Sequence, residues 1–349
     1  MKRTGHLFER ATEVASIKHA IAAASKGKAN RPEVRSVLSD IDNAAEAIRG
    51  IALAGYKPSN GVKRMKVIDG PSKKQREVYK LPFFPDQCIE WAVAEALRPI
   101  LERGLDPYSV GSVRGRGGAA GKKAVERFYN NDRKGTKWSL YYDIRHFYQS
   151  APQEKVLSAL RTKIKDERFL RLVAQLMGVA PTGLAMGTYL SQILGNFYLQ
   201  RLDHTIRESM KAEHMVRNVD DTIVFSGNKR KLANIRKSII GELASLGLEM
   251  KPNWRISRTR DEGTDFVGYR IFPNGKSEIR KRVFRSVRRT ALRLRFHGVS
   301  KKRSKRMMSY YGFVKNTNSN KVISRYLKNP DLIEKSRAAI RSPEKEQKA

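Results

Sequence analysis

At 349 residues the chain has room for two or three packed units, and with hydrophobic residues at 40% it can build a real core, which excludes global disorder. Its 71 Lys and Arg against 34 acids leave a net charge of +37, an excess that repels itself unless a polyanion neutralises it. That partner is expected to be nucleic acid and not a membrane. No apolar run approaches the ~18 residues of a spanning helix, and residues 1–6 lead into no apolar signal segment. The single cysteine, Cys88, excludes an internal disulfide and a thiolate zinc cluster, so a reducing cytoplasm is the expected setting.

Residues 1–60 read as helical, with amphipathic stretches at 17–25 and 41–54 and a basic linker at 26–35. Residues 64–80 read as two strands around a turn at Gly70-Pro71-Ser72. Leu81-Pro82-Phe83-Phe84-Pro85-Asp86 then opens a helix over about 87–98, with Asp86 as its N-cap and Pro99 as its end or kink. The run Val113-Arg114-Gly115-Arg116-Gly117-Gly118 lacks the Lys-Ser/Thr ending of a P-loop. Arg114 and Arg116 make it a flexible contact for a nucleic-acid backbone instead. A helix over 119–129 and a strand over 137–142 lead to Asp143. Helices follow at 152–164, 167–177 and 189–210, with a loop at 182–188. A hairpin over 215–225 carries Asp220-Asp221, a helix over 229–246 closes on Gly247, and 266–271 reads as a short strand. Between 276 and 306 there are 14 Lys or Arg and one acid, Glu278, interspersed with apolar residues, which marks a separate basic helical unit. Residues 336–349 read as a frayed tail. The mixed order of strands and helices predicts an α+β catalytic domain with a helical appendage.

Asp220 and Asp221 at a hairpin tip, and Asp143 at the end of an aromatic strand 77 residues before Asp220, carry the chemistry. Adjacent carboxylates repel unless cations compensate them. A polymerase needs such a set, because two divalent ions about 3.5–4 Å apart activate the primer 3′-oxygen and stabilise the leaving pyrophosphate. Magnesium prefers carboxylates, waters and phosphates, and Mn²⁺ is a possible substitute. Lys73, Lys74 and Arg76 are candidates for the triphosphate. Phe147 reads as core and Tyr148 as an aromatic near the incoming sugar. Gly187 permits close backbone approach, and Ser191, Gln192 and Asn196 share one stretch of helix beside it. Arg285, Arg288, Arg289 and Arg293 repeat at helical spacing and suit a phosphate backbone.

Together these segments resemble the reverse transcriptase family. Tyr142-Asp143-Ile144-Arg145-His146-Phe147-Tyr148 is similar to its first catalytic motif, 183–192 with Asn196 to the second, and Val219-Asp220-Asp221 to the third. Leu246-Gly247-Leu248 begins the fourth, Phe266-Val267-Gly268-Tyr269 resembles the primer-grip hairpin, and 309–319 resembles the thumb of short bacterial enzymes. The resemblance implies a right hand: an N-terminal helical extension (1–60), fingers (61–136), a palm with an antiparallel sheet (137–275, finger helices interleaved at about 152–180), a basic helical thumb (276–335) and a flexible tail (336–349). It implies two Mg²⁺ ions on Asp143, Asp220, Asp221 and the carbonyl of Ile144. Tyr148 would be the sugar gate, and Lys74 and Arg76 would contact the triphosphate. Met186, Gly187 and Gln192 would lie at the nucleotide, with Asn218, Gly268 and Tyr269 at the primer. Met186 stands where retroviral enzymes carry Gln, Asn218 where an aromatic usually stands, and Trp254 near the usual Lys of the fourth motif. Lys251 and Arg255 are then the nearby candidates for proton donor.

The expected function is RNA-directed DNA synthesis from a dedicated structured RNA, with a DNA or RNA primer, deoxynucleotides, and an accessory protein or second polymerase subunit as possible partners. Segments 81–86 and 191–199 resemble defence-associated enzymes, whereas the Ser191-Gln192 ending also resembles diversity-generating retroelement enzymes. An RNA chaperone without synthesis and an RNA-templated RNA polymerase are the competing readings.

Overall fold

Runs of consecutive apolar residues make three strands that are buried on both faces. They are β3 (Trp138–Tyr142), β4 (His214–Asn218) and β5 (Asp221–Ser226). The computed structural model describes residues 3–68, 75–319, 322–327 and 330–341. Ahead of β3 lie α1 (Leu7–Thr12), α2 (Val14–Ser25), α3 (Pro32–Ser39), α4 (Ile41–Leu53), the hairpin of β1 (Lys63–Ile68) and β2 (Gln75–Lys80), α5 (Cys88–Leu101) and α6 (Gly118–Asn131). After β3 come α7 (Phe147–Ser150), α8 (Gln153–Arg161), α9 (Glu167–Met177) and α10 (Tyr189–His204). Beyond β5 come α11 (Lys229–Ser245), β6 (Arg255–Arg258), α12 (Thr259–Glu262), β7 (Thr264–Phe266), β8 (Tyr269–Ile271), β9 (Ser277–Ile279), α13 (Lys281–Phe296), α14 (Lys301–Lys315) and α15 (Pro330–Arg341).

The central sheet has the order β4-β5-β3-β6, with every neighbouring pair antiparallel. Its two faces feed two cores. Leu140, Tyr142, Met215 and Val224 join the helices on one side. Val216, Ile223 and Phe225 pack with Val125, Phe128 and Tyr129 of α6 and with Phe266 and Tyr269 on the other. A third core holds α13, α14 and α15 together through Val287, Leu294, Met307, Val314 and Leu332.

The alternation that buries Met215 and Val216 aims Arg217 at the helical side, where it is fully buried. Its guanidinium donates to Asp203 of α10 at 2.6 and 2.8 Å, to Asn196 Oδ1 at 3.0 Å, to Ser109 Oγ at 3.0 Å and to the Val219 carbonyl at 3.1 Å. The 108–111 segment is bonded to the same strand, Arg217 N–H to Tyr108 O and Val110 N–H to Arg217 O. One buried cation therefore ties a helix, a loop and the β4–β5 turn.

Several local expectations change. Asp86 does not cap α5; it accepts from Tyr56 Oη, Ser59 N–H and Ser59 Oγ, so it anchors the 56–59 segment. Pro99 lies inside α5, which runs on to Leu101, so the helix continues past the backbone N–H that proline lacks. The linker at 26–35 gives way to α3, started by Pro32 at its first turn. The single strand at 266–271 is instead the β7–β8 hairpin, turned by Val267 and Gly268 at φ 41° and 93°. The tail does not fray at 336: α15 continues to Arg341 with Ser336 buried. The 70–72 turn, Lys73 and Lys74 lie outside the described residues.

Replacing Arg217 by Met leaves Asp203 buried without its cation. Chemical denaturation is expected to show a loss of about 3–5 kcal/mol, and an unchanged midpoint would contradict the role given to this network.

Candidate active site

The register of the central sheet brings the acids together. Tyr142 pairs with Thr222 across β3 and β5, so the next step sets Asp143 opposite Asp221. Asn218 pairs with Asp221, which leaves Val219 and Asp220 as a two-residue turn. Val219 has φ 60°, a left-handed conformation that is strained for a β-branched residue. Three things over-determine it. Arg217 holds the Val219 carbonyl, and Asn196 fixes Gly111 by donating its Nδ2–H to the Gly111 carbonyl at 2.7 Å. Gly111 itself lies so close that a Cβ there would stand 2.6 Å from Val219 N.

The electrostatics match a cation site. Burial, then the charges of Asp221 and Asp143, push the Asp220 carboxyl up to about 7. Burial also raises Asp221, against a hydrogen bond of 2.8 Å donated by Tyr141 Oη to its Oδ1. Asp143 is 8% exposed; Lys251 Nζ pairs with its Oδ2, while its Oδ1 is buried without a partner. Three oxygen donors, one unsatisfied and two held above their usual range, fit hard divalent cations such as Mg²⁺. Lys251 N–H donates to Asp143 O and Arg145 N–H to Glu249 O, both at 2.8 Å. Ile144, paired with Met250 between those bonds, therefore directs its own carbonyl away from 249–251, toward the β5 side.

Tyr148 is half-buried, and the charges of Asp220 and Arg76 both act on its hydroxyl. Its carbonyl accepts from Leu184 N–H at 2.6 Å, and a Cβ on Gly183 would meet that carbonyl oxygen at 2.2 Å. Met186 gives its carbonyl to Tyr79 N–H at 2.8 Å. Gly187, at φ 105°, abuts Val78, and with Gln192 it borders a cavity of about 510 Å³ beside β2. Asp143, Ile144, Asp220, Asp221, Tyr148 and Arg76 thus form one neighbourhood, with Met186, Gly187 and Gln192 along β2.

Other expected residues stand apart. Asn196 is buried and serves Gly111 and Arg217, so it does not face a substrate beside Gln192. Arg114 pairs with Glu95 at 2.9 Å, and Arg116 donates to the carbonyls of Asp106 and Ser109. Tyr269 is a correction: it is 4% exposed and packs on Phe313 of α14, so its ring joins the small sheet to the helical unit and presents no surface to a strand. Gly268 is tight against the same Phe313, where a Cβ would lie 2.7 Å from the ring. Arg285, Arg288, Arg289 and Arg293 are exposed on α13, opposite the buried stripe of Val283, Val287, Ala291 and Leu294. Arg255 lies over the Tyr141 ring and pairs with Asp265, and Arg236 covers Trp254 at 3.9 Å. A further group, Asp132, Glu213 and His214, converges elsewhere, but Asp132 is already engaged by Gly135 N–H and His214.

Sequence reasoning missed Arg217, Asp203 and Tyr141. A charged residue inside the apolar run Met215-Val216-Arg217 was the available signal, since its strand parity aims it inward.

An antiparallel sheet that delivers three carboxylates to one hairpin tip, flanked by helices, defines an α+β polymerase-type domain. Residues 65–271 match the family described as "Reverse transcriptase (RNA-dependent DNA polymerase)", and the chain belongs to that family. It is 32% identical over 132 residues to the "Uncharacterized 91 kDa protein in cob intron" of Schizosaccharomyces pombe, covering 35% of this chain and 16% of that protein. It is 26% identical over 111 residues to the "Uncharacterized mitochondrial protein ymf11" of Marchantia polymorpha, covering 32% of this chain and 15% of that protein. The chain therefore spans well under two thirds of the length of either curated relative. Among the described residues no helix is long and apolar enough to cross a membrane.

The raised Asp220 carboxyl has a signed consequence. The folded, metal-free protein holds that proton to about 7, whereas the unfolded chain releases it near 4, so stability is lost as pH rises across that window. Mg²⁺ is expected to raise the melting temperature more at pH 8 than at pH 6, and Asp220→Asn to remove the difference. An equal shift at both pH values in wild-type protein would contradict cation binding at Asp220.

Proposed function

We propose that the chain carries out RNA-directed DNA synthesis by nucleotidyl transfer at Asp143, Asp220 and Asp221. The observation that supports this most strongly is the convergence of those three carboxylates at one strained hairpin tip, in a chain of the reverse transcriptase family. When bound, a pair of Mg²⁺ ions activates the primer 3′-oxygen and stabilises the leaving pyrophosphate. The chain's own residues supply the rest. Asp143 and Asp220 are the main ligands, Asp221 is held by Tyr141, and Lys251 balances Asp143. Tyr148 is the sugar gate, Arg76 and Lys74 meet the triphosphate, and Gly187 and Gln192 lie along the nucleotide–template pair. In this reading residues 61–136 are fingers, 137–275 palm and 276–335 thumb, with the arginines of α13 on the duplex backbone.

For the biological setting, defence is the reading favoured by segments 81–86 and 191–199. An intron-borne setting is the second reading, favoured by the relative whose name places it in a cob intron. Neighbouring genes separate them: a toxin-like or second polymerase gene indicates defence, and intron boundaries flanking the reading frame indicate the other.

Primer extension on an RNA template with Mg²⁺ tests the activity. Wild-type protein is expected to incorporate deoxynucleotides, and Asp220→Ala/Asp221→Ala to fall to background. RNA binding with no extension from either protein would favour a chaperone, and extension with ribonucleotides alone an RNA polymerase. For the thumb, Arg285→Ala and Arg289→Ala are each expected to lower the log–log salt slope of duplex binding by about 0.9. An unchanged slope would remove α13 from the interface.

A further inference from the structure

Glu90 stands in the first turn of α5 and is 3% exposed. Burying a carboxylate is costly unless hydrogen bonds compensate it. Here the donors are backbone: Leu190 N–H at 2.6 Å, joined by Tyr189 N–H. These are among the first N–H groups of α10, which have no partner within their own helix. Two more residues of α5 grip the same point. Trp91 stacks on Tyr189 with ring centroids 4.3 Å apart, and Glu95 accepts from Tyr189 Oη at 3.2 Å.

The grip matters because of what adjoins it. Gly187 and Thr188 precede the clamped residues and Gln192 follows them. Gly187 has no slack, since a Cβ would stand 2.4 Å from Val78 Cγ1. Glu90, Gly187, Thr188 and Gln192 border one cavity of about 510 Å³ with Val78 and Tyr79. An apolar residue at 90 would fill the core but leave the Leu190 and Tyr189 N–H groups without this acceptor, whose carboxyl burial pushes up to about 7 against those two bonds and the charge of Lys28.

We propose that Glu90 is a positioning residue: its carboxylate fixes the start of α10, and so sets Gly187 and Gln192 at the angle from which they meet the incoming nucleotide. This rests on the assignment of 187–192 to the nucleotide–template pair. Glu90→Gln keeps an acceptor for Leu190 N–H and Glu90→Ala removes it. In the full chain, Glu90→Ala is expected to speed hydrogen exchange in peptides covering 187–192. It is also expected to raise the deoxynucleotide KM by about tenfold, the scale of one charge-assisted hydrogen bond, with the primer–template KM unchanged. Glu90→Gln is expected to restore most of both. Extension with an unchanged nucleotide KM in Glu90→Ala, or equal loss of kcat in both variants with no change in exchange, overturns this proposal alone. Absence of any incorporation by wild-type protein overturns the polymerase reading and this proposal with it.

Discussion

The Arg217–Asp203 pair is the contact on which the candidate site depends. A catalytic hairpin tip needs a turn that presents two adjacent acids, and this one does so through a valine in left-handed conformation. Such a turn persists only if its surroundings leave it no alternative. Arg217 supplies that constraint by bonding the turn's carbonyl with the same guanidinium that binds Asp203, Asn196 and Ser109. Desolvating a guanidinium is expensive, and the bidentate carboxylate with three further acceptors offsets it. The result is rigidity where a loop would otherwise fray.

Around that tip the charge distribution is divided. The chain carries +37 overall, yet three carboxylates sit together where two are raised by burial and mutual repulsion. The cationic excess is arranged outside: exposed arginines line α13, and Lys251 and Arg280 act on the acids from nearby. A basic exterior draws a polyanion in, while an acidic centre selects for divalent cations. The two requirements coexist because the acids are shielded by Tyr141, Tyr148 and the sheet beneath them.

Much of this was legible in the amino-acid sequence. Apolar, strand-like runs beside Asp143 and Asp220-Asp221 located the sheet and the acids, and Gly247, at φ 73°, closed its helix as a C-cap should. The basic run after 276 marked α13, whose apolar stripe and cationic face follow from spacing alone. What escaped were long-range partners. Asp86 looks like a helix cap until Tyr56 and Ser59 reach it from 30 and 27 residues away. Asn196 shares a helix face with Gln192 by count, yet the approach of Gly111 and Arg217 turns it to the core. Tyr269 carries a motif match, and only the docking of α14 shows its ring covered. Local pattern encodes element and face; it does not encode which distant chain segment arrives.

The most direct measurement is Mn²⁺ electron paramagnetic resonance on the protein with an RNA template, a primer ending in a 3′-deoxy sugar and a matching deoxynucleotide. Wild-type protein is expected to bind Mn²⁺ tightly, and Asp143→Asn to lose that signal while keeping the fold and the duplex. An unchanged Mn²⁺ spectrum in Asp143→Asn would mean that the carboxylates, close as they are, are not where the metal ions sit.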